Sequence, residues 1–192
     1  MKLRKLFRVL GCVLILASLG LGAFSLIRTN QAKERCADAV QRIQALLPSP
    51  TAGVMDQYSS MAMPVLEVGG QDYVCLIRVP AFGVTLPVKN GWNRAAVSLG
   101  PCRFSGTVYD GSLIIGGADQ TGQFDFFDRL DLDDKITVTD MTGAEFHYAV
   151  TRIDRAKSAD AEALNRHEAD LVLFVRDALS MEYLIVRCNS AS

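Results

Sequence analysis

The sequence predicts a mostly β domain, a closed or nearly closed barrel of seven to eight strands with short helices, set behind an apolar N-terminal transmembrane helix. Three observations carry this. Short runs of β-formers, separated by Gly and Pro, recur through residues 64–192. They do not alternate regularly with helices, which argues against a doubly wound parallel sheet. And Val9 to Ile27 run without a single charge.

Lys2, Arg4, Lys5 and Arg8 give residues 1–8 a cationic character with no acidic residue. The 9–27 run is roughly 28 Å long as a helix, close to the ~30 Å hydrocarbon core of a bilayer. The basic side is expected to stay in the cytoplasm, so the segment reads as a single-pass cell-membrane anchor with everything after it extracellular. A cleaved signal peptide is the competing reading, since Ser18, Gly20, Gly22 and Ala23 are small, but no clear A-x-A site is present. Lipidation at Cys12 is not expected, because no apolar region precedes it.

Residues 28–63 read as an extracellular helix and linker. Ala32, Cys36, Ala39, Val40, Ile43 and Leu47 recur at three- and four-residue spacings, predicting an amphipathic helix over 29–47 that Pro48 and Pro50 end. It serves as a stalk or pairs with a partner. Residues 48–64 are small, polar and Pro-punctuated, a linker.

Within 64–192, Tyr73 to Val79 is a strand that stops at Pro80, and Val84 to Val88 follows a Phe82-Gly83 turn. Ser112 to Ile115 is a strand closed by a Gly116-Gly117 turn. Ile136 to Thr139 leads through Thr142-Gly143 to a strand on which Phe146, Tyr148 and Val150 share a face. Leu171 to Val175 and Tyr183 to Val186 finish the set, with short helices near Phe124–Leu130 and Ala159–Arg166.

The chain carries 20 basic and 21 acidic residues, a net charge of −1, without the basic excess of a nucleic-acid partner. No C-x-x-C pair or phosphate-binding glycine loop occurs, so neither a metal nor another cofactor is expected. Outside the anchor, Cys36, Cys75, Cys102 and Cys188 allow three pairings if all are bridged.

Four segments, in order, resemble the sortase family. IRVPAFGVTLPVKNGW (77–92) is similar to the opening strand, Pro turn and hairpin strand of that barrel. GPCRFSGTVYDGSLIIGGADQTGQFDFFDRL (100–130) resembles the segment that carries the active-site His and a short Phe-containing helix. LDLDDKITVTDMTGAEFHYAV resembles the hairpin with the TD-x-x-G turn, and DLVLFVRDALSMEYLIVRC (170–188) the closing strand pair of the class B-like members. The resemblance implies a membrane-anchored cysteine transpeptidase of Gram-positive bacteria, which joins surface proteins to the cell wall. In that chemistry a Cys thiolate attacks the scissile carbonyl, a His returns the proton to the leaving amine, and an Arg stabilises the oxyanion.

Carried over residue by residue, the His position is Gly117, the Cys position Arg176 and the Arg position Tyr183. No catalytic residue is therefore expected, and the resemblance implies a degenerate member, a pseudoenzyme. Cys188 is an odd number of residues from Tyr183, so it faces the other way. Cys102 and Cys188 match non-catalytic cysteines of the class B-like pattern. His147 falls on the polar face of its strand, and His167 near a helix end eases the helix dipole. Phe124, Phe126 and Phe127 are expected to pack their short helix onto the barrel.

Three states of the altered cleft are compatible with these residues. It is a solvated hollow; or Asp119 or Asp177 closes it by an ion pair with Arg176; or Arg176 and Tyr183, flanked by Asp119 and Asp177, form a groove for an extended peptide or an envelope protein. An active sortase using other residues, and a purely structural domain behind a functional membrane helix, are the rival readings.

Overall fold

The computed structural model describes residues 33–49, 51–52, 62–160, 164, 168–177 and 180–191. The expected anchor at 9–27 lies outside them, as do His167 and most of the helix expected over Ala159–Arg166. Among the described residues no helix is long and apolar enough to cross a membrane.

The elements in chain order are helix α1 (33–46), strands β1 (Thr51–Ala52), β2 (Leu66–Val68), β3 (Gln71–Val79) and β4 (Val84–Lys89), helix α2 (Arg94–Val97), then β5 (Cys102–Ser105), β6 (Leu113–Ala118), β7 (Lys135–Asp140), β8 (Ala144–Ala156), β9 (Leu171–Arg176) and β10 (Tyr183–Ser190). Eight strands close on themselves in the order β3-β4-β5-β6-β9-β10-β8-β7, with β7 returning to β3. This is the expected barrel. β1 and β2 extend it at the margins: Thr51 pairs in parallel with Ala144, and Leu66 antiparallel with Tyr73.

Side-chain alternation along each strand decides what the barrel encloses. Ile77, Leu86, Ile115, Ile136, Leu173 and Val186 point inward and are all but fully buried. A register shift between Tyr73 and Cys75 turns Tyr73 and Leu76 outward, where Val40 and Ile43 of α1 cover them. The amphipathic helix is thus packed on the barrel by the face its spacing predicts.

The Thr-Asp-x-x-Gly turn between β7 and β8 is held by Asp140, 1% exposed. The Tyr109 hydroxyl donates to its Oδ2 at 2.7 Å, and Oδ1 accepts from the Thr142 amide (2.8 Å), the Thr142 hydroxyl (2.6 Å) and the Ala144 amide (3.0 Å). A buried carboxylate is tolerable here because each oxygen has donors.

Two expectations need correction. The Phe124–Leu130 segment is turns ending in a single 3-10 turn at Phe127–Arg129, not a longer helix. Its phenylalanines are nevertheless core, with the Phe124 ring tilted against Phe127 at 5.0 Å. Gly116 and Gly117 do not form a strand-end turn: both lie within β6, paired with Phe174 and Val175 of β9.

Candidate functional site

β6, β9 and β10 are neighbours in the barrel wall, β6 and β9 parallel, β9 and β10 antiparallel. Their odd and even positions separate cleanly. Leu113 and Ile115, Leu171, Leu173 and Val175, and Leu184 and Val186 face the barrel interior. Ile114, Val172, Phe174 and Ile185 face outward in a second apolar cluster. On this outer face the register sets Ala118, Arg176 and Tyr183 in one row: Ala118 is opposite Arg176, and Arg176 opposite Tyr183.

Gly117 is not in that row. A β-carbon there would come 2.4 Å from Cδ2 of Phe124, a ring of the barrel core. It is Ala118 that shares the face of Arg176 and Tyr183. The face of Arg176 and Tyr183 therefore continues at Ala118 and not at Gly117, the position matched to the family His, because neighbouring residues on a strand face opposite ways. Neither glycine nor alanine offers a base.

Arg176 is exposed at the end of β9. Its guanidinium donates to Met181 Sδ at 3.9 Å and makes no ion pair among the described residues. Asp177, one residue on, pairs instead with Arg155 at 3.4 Å and accepts the Ser180 hydroxyl at 2.7 Å. Asp119 is also exposed. Partial burial, and then the carboxylates of Asp128, Asp177 and Asp125, push its carboxyl above the usual range, the reverse of what an adjacent guanidinium does. Neither acid closes the cleft on Arg176.

The floor beside this row is aromatic, which the sequence did not reveal. Trp92, from the loop after β4, lies 5.1 Å from the Phe174 ring and 5.4 Å from Phe104 of β5. Phe104 meets Phe174 edge-on at 5.6 Å, and Tyr183 stands 6.3 Å from Phe174. Gly116 makes this possible: a β-carbon there would lie 2.3 Å from Cζ3 of Trp92 and 2.5 Å from Cζ of Phe174. Trp92 and Phe104 remain 39% and 40% exposed, so one side of this aromatic floor faces solvent.

None of the described cysteines reaches this face. Cys75 and Cys188 are fully buried inside the barrel, so Cys188 does face away from Tyr183. Cys102 is buried with its thiol 3.4 Å from the Gly100 carbonyl oxygen, and Cys36 lies on α1. All four are unbridged. Burial raises every one: Cys36 and Cys102 to about 11 and Cys188 to about 12, the opposite of an activated nucleophile. His147 is exposed on β8, 3.3 Å from the Thr137 hydroxyl. No cluster of His, Cys, Asp and Glu among the described residues has the makings of a metal site.

An eight-stranded barrel with a side-chain row at the ends of a parallel strand pair and its antiparallel neighbour defines the class. The sortase domain model matches residues 77–179, more than half of the sequence, and the chain belongs to the sortase family. Among solved structures it is similar to a sortase D5 transpeptidase of Clostridium perfringens, at 20% identity over 62% of this chain and 79% of that one, with a TM-score of 0.54. Sortase A of Corynebacterium diphtheriae is 18% identical over 85% of this chain and 84% of that one, TM-score 0.55. Sortase C of Clostridium perfringens, solved with a C-terminal cell wall sorting motif, is 17% identical over 61% and 69%, TM-score 0.52. At such identities the likeness is one of fold. No curated protein matches in sequence.

Proposed function

We propose that this chain is a membrane-anchored, extracellular member of the sortase family that has exchanged transpeptidation for binding, holding an extended peptide or an envelope protein. The row Ala118–Arg176–Tyr183 carries the reading: a methyl group, a guanidinium and a phenol where acyl transfer through a thioester needs a thiol and an acid–base partner. The same row suits binding. Arg176 has no ion-pair partner among the described residues and is a fork for a carboxylate. Trp92, Phe104 and Tyr183 supply flat apolar surface for a neighbouring side chain.

A class B-like origin is supported by the Cys102 and Cys188 positions, both structural in this reading. Anchoring rests on the uncharged 9–27 run behind its basic start, with the N-terminus cytoplasmic. Sortase C of Clostridium perfringens was solved with a C-terminal cell wall sorting motif, which favours a peptide as the partner here.

Trp92 is the only tryptophan, so its fluorescence reports on the groove directly. Titration with short peptides ending in a free carboxylate is expected to change its emission, and Arg176→Met to weaken binding at least tenfold. A peptide amide that binds as tightly as the acid, or Arg176→Met without effect, would remove the assigned role of Arg176.

A further inference from the structure

A cleft of about 340 Å³ lies between α1 and the barrel, at the end of β4. It shares no lining residue with the Arg176 groove, and its size falls at the lower end of the ~300–1,000 Å³ typical of small-molecule sites. Arg35, Asp38 and Arg42 enter it from one flank of α1, and Lys89 and Tyr73 from the barrel, with Gly100 and Pro101 closing one end.

Lys89 is the unusual member. It sits at the end of β4 with only 7% of its surface exposed, and its ammonium has neither a hydrogen-bond nor an ion-pair partner among the described residues. Its Cε packs where Gly100 lacks a side chain, 3.8 Å from the position of a β-carbon. The neighbouring Cys102 supplies no counter-charge, because burial holds that thiol up at about 11, so it is neutral at pH 7. An ammonium that is partly withdrawn from water and has no counter-charge is disfavoured. Burial accordingly lowers the Lys89 pKa.

The charge balance of the cleft narrows the ligand. Arg42 is already neutralised by Asp38 at 3.0 Å. Arg35 is exposed and makes no ion pair among the described residues. Two positive charges, Arg35 and Lys89, are left over. A phosphate monoester carries about −1.5 to −2 at pH 7 on one compact group, and the cleft walls of Val68, Tyr73 and Leu99 leave apolar surface for its organic part.

We propose that the α1–β4 cleft is a binding site for a phosphate monoester, with Lys89 and Arg35 as its two cationic contacts. Occupancy joins α1 to the barrel through charges that are otherwise unpaired, so the ligand stabilises the packed position of the helix. A soluble monoester and a lipid headgroup share this chemistry.

Thermal unfolding of the full-length chain in detergent tests the site, using glycerol 3-phosphate, dioctanoyl phosphatidic acid, dioctanoyl phosphatidylcholine and succinate as probes. A ligand present at a hundredfold its Kd raises Tm by roughly 5–10 °C in a chain of this size. Such a rise with glycerol 3-phosphate identifies a soluble ligand; a rise with phosphatidic acid alone identifies a headgroup. In either case Lys89→Met is expected to fold, having lost only an unpaired charge, and to bind at least tenfold more weakly. Arg35→Ala, a surface change, is expected to weaken binding in the same direction. No rise with either phosphate, an equal rise with succinate, or a full rise in both variants would overturn the proposal.

Discussion

Trp92 lies across Gly116 so closely that a β-carbon at position 116 would stand 2.3 Å from the indole Cζ3. The aromatic floor of the groove therefore depends on a residue that has no side chain. Gly116→Ala is expected to push Trp92 outward, because its exposed edge is free to move whereas Phe174, 2% exposed, is not. Overpacking of this kind costs about 1–3 kcal/mol. Intrinsic fluorescence and a urea melt check both: the emission should shift to the red while the midpoint falls.

The register of Ala118 opposite Arg176 is testable by rebuilding. In an Arg176→Cys background, Ala118→His places an imidazole on the same face as the new thiol and lowers its pKa. Alkylation by iodoacetamide at pH 7 should accelerate about tenfold, the scale of a one-unit shift in a thiol pKa. Gly117→His should give no acceleration and should destabilise the fold, since its ring would meet Phe124 in the core.

The three buried thiols and the half-buried Cys36 make stability fall at high pH. Cys36 and Cys102 are raised from 9.0 to about 11 and Cys188 to about 12, and Cys75 is raised further. An acid whose folded pKa is raised contributes stability that is fully present below its unfolded pKa and lost as pH climbs to the folded one. The chain should thus weaken progressively from pH 9 to pH 12. In a Cys12→Ser background, labelling of the native protein at pH 8 should be slow and should become rapid only in urea.

The Tyr148 hydroxyl is fully buried in the barrel without a hydrogen-bond partner among the described residues. Removing an unsatisfied buried polar atom while keeping the ring should stabilise. Tyr148→Phe is expected to gain about 1 kcal/mol, read as a higher urea midpoint with an unchanged slope.

The barrel was legible because its central strands are dense in β-formers: LVLFV, YLIV and the Phe146, Tyr148, Val150 alternation all occupy the expected elements. β5 was not, being four residues with polar alternation. β8 runs on to Ala156 through Thr-Arg-Ile-Asp-Arg, whose charges pair within the strand, Arg152 with Asp154 at 2.8 Å, and with tertiary partners such as Arg187, 3.1 Å from Asp154. Within the site, Arg176 and Tyr183 could be placed because unbroken apolar patterns flank them. Which of Gly117 and Ala118 shares the face of Arg176 was not legible, since a glycine pair carries no sign of which face is inward. The aromatic floor was invisible for a different reason: Trp92, Phe104 and Phe174 come from three separate elements that only the barrel brings together.

A protein with a methyl group, a guanidinium and a phenol in the Ala118–Arg176–Tyr183 row forms no thioester there. The direct measurement is incubation of the full-length chain with a panel of sorting-signal peptides and an amine acceptor, alongside Cys102→Ala and Cys188→Ala, with cleavage followed by mass spectrometry. No cleavage and no acyl-enzyme are expected in any of the three proteins. Cleavage by the parent that disappears with either cysteine would contradict that expectation.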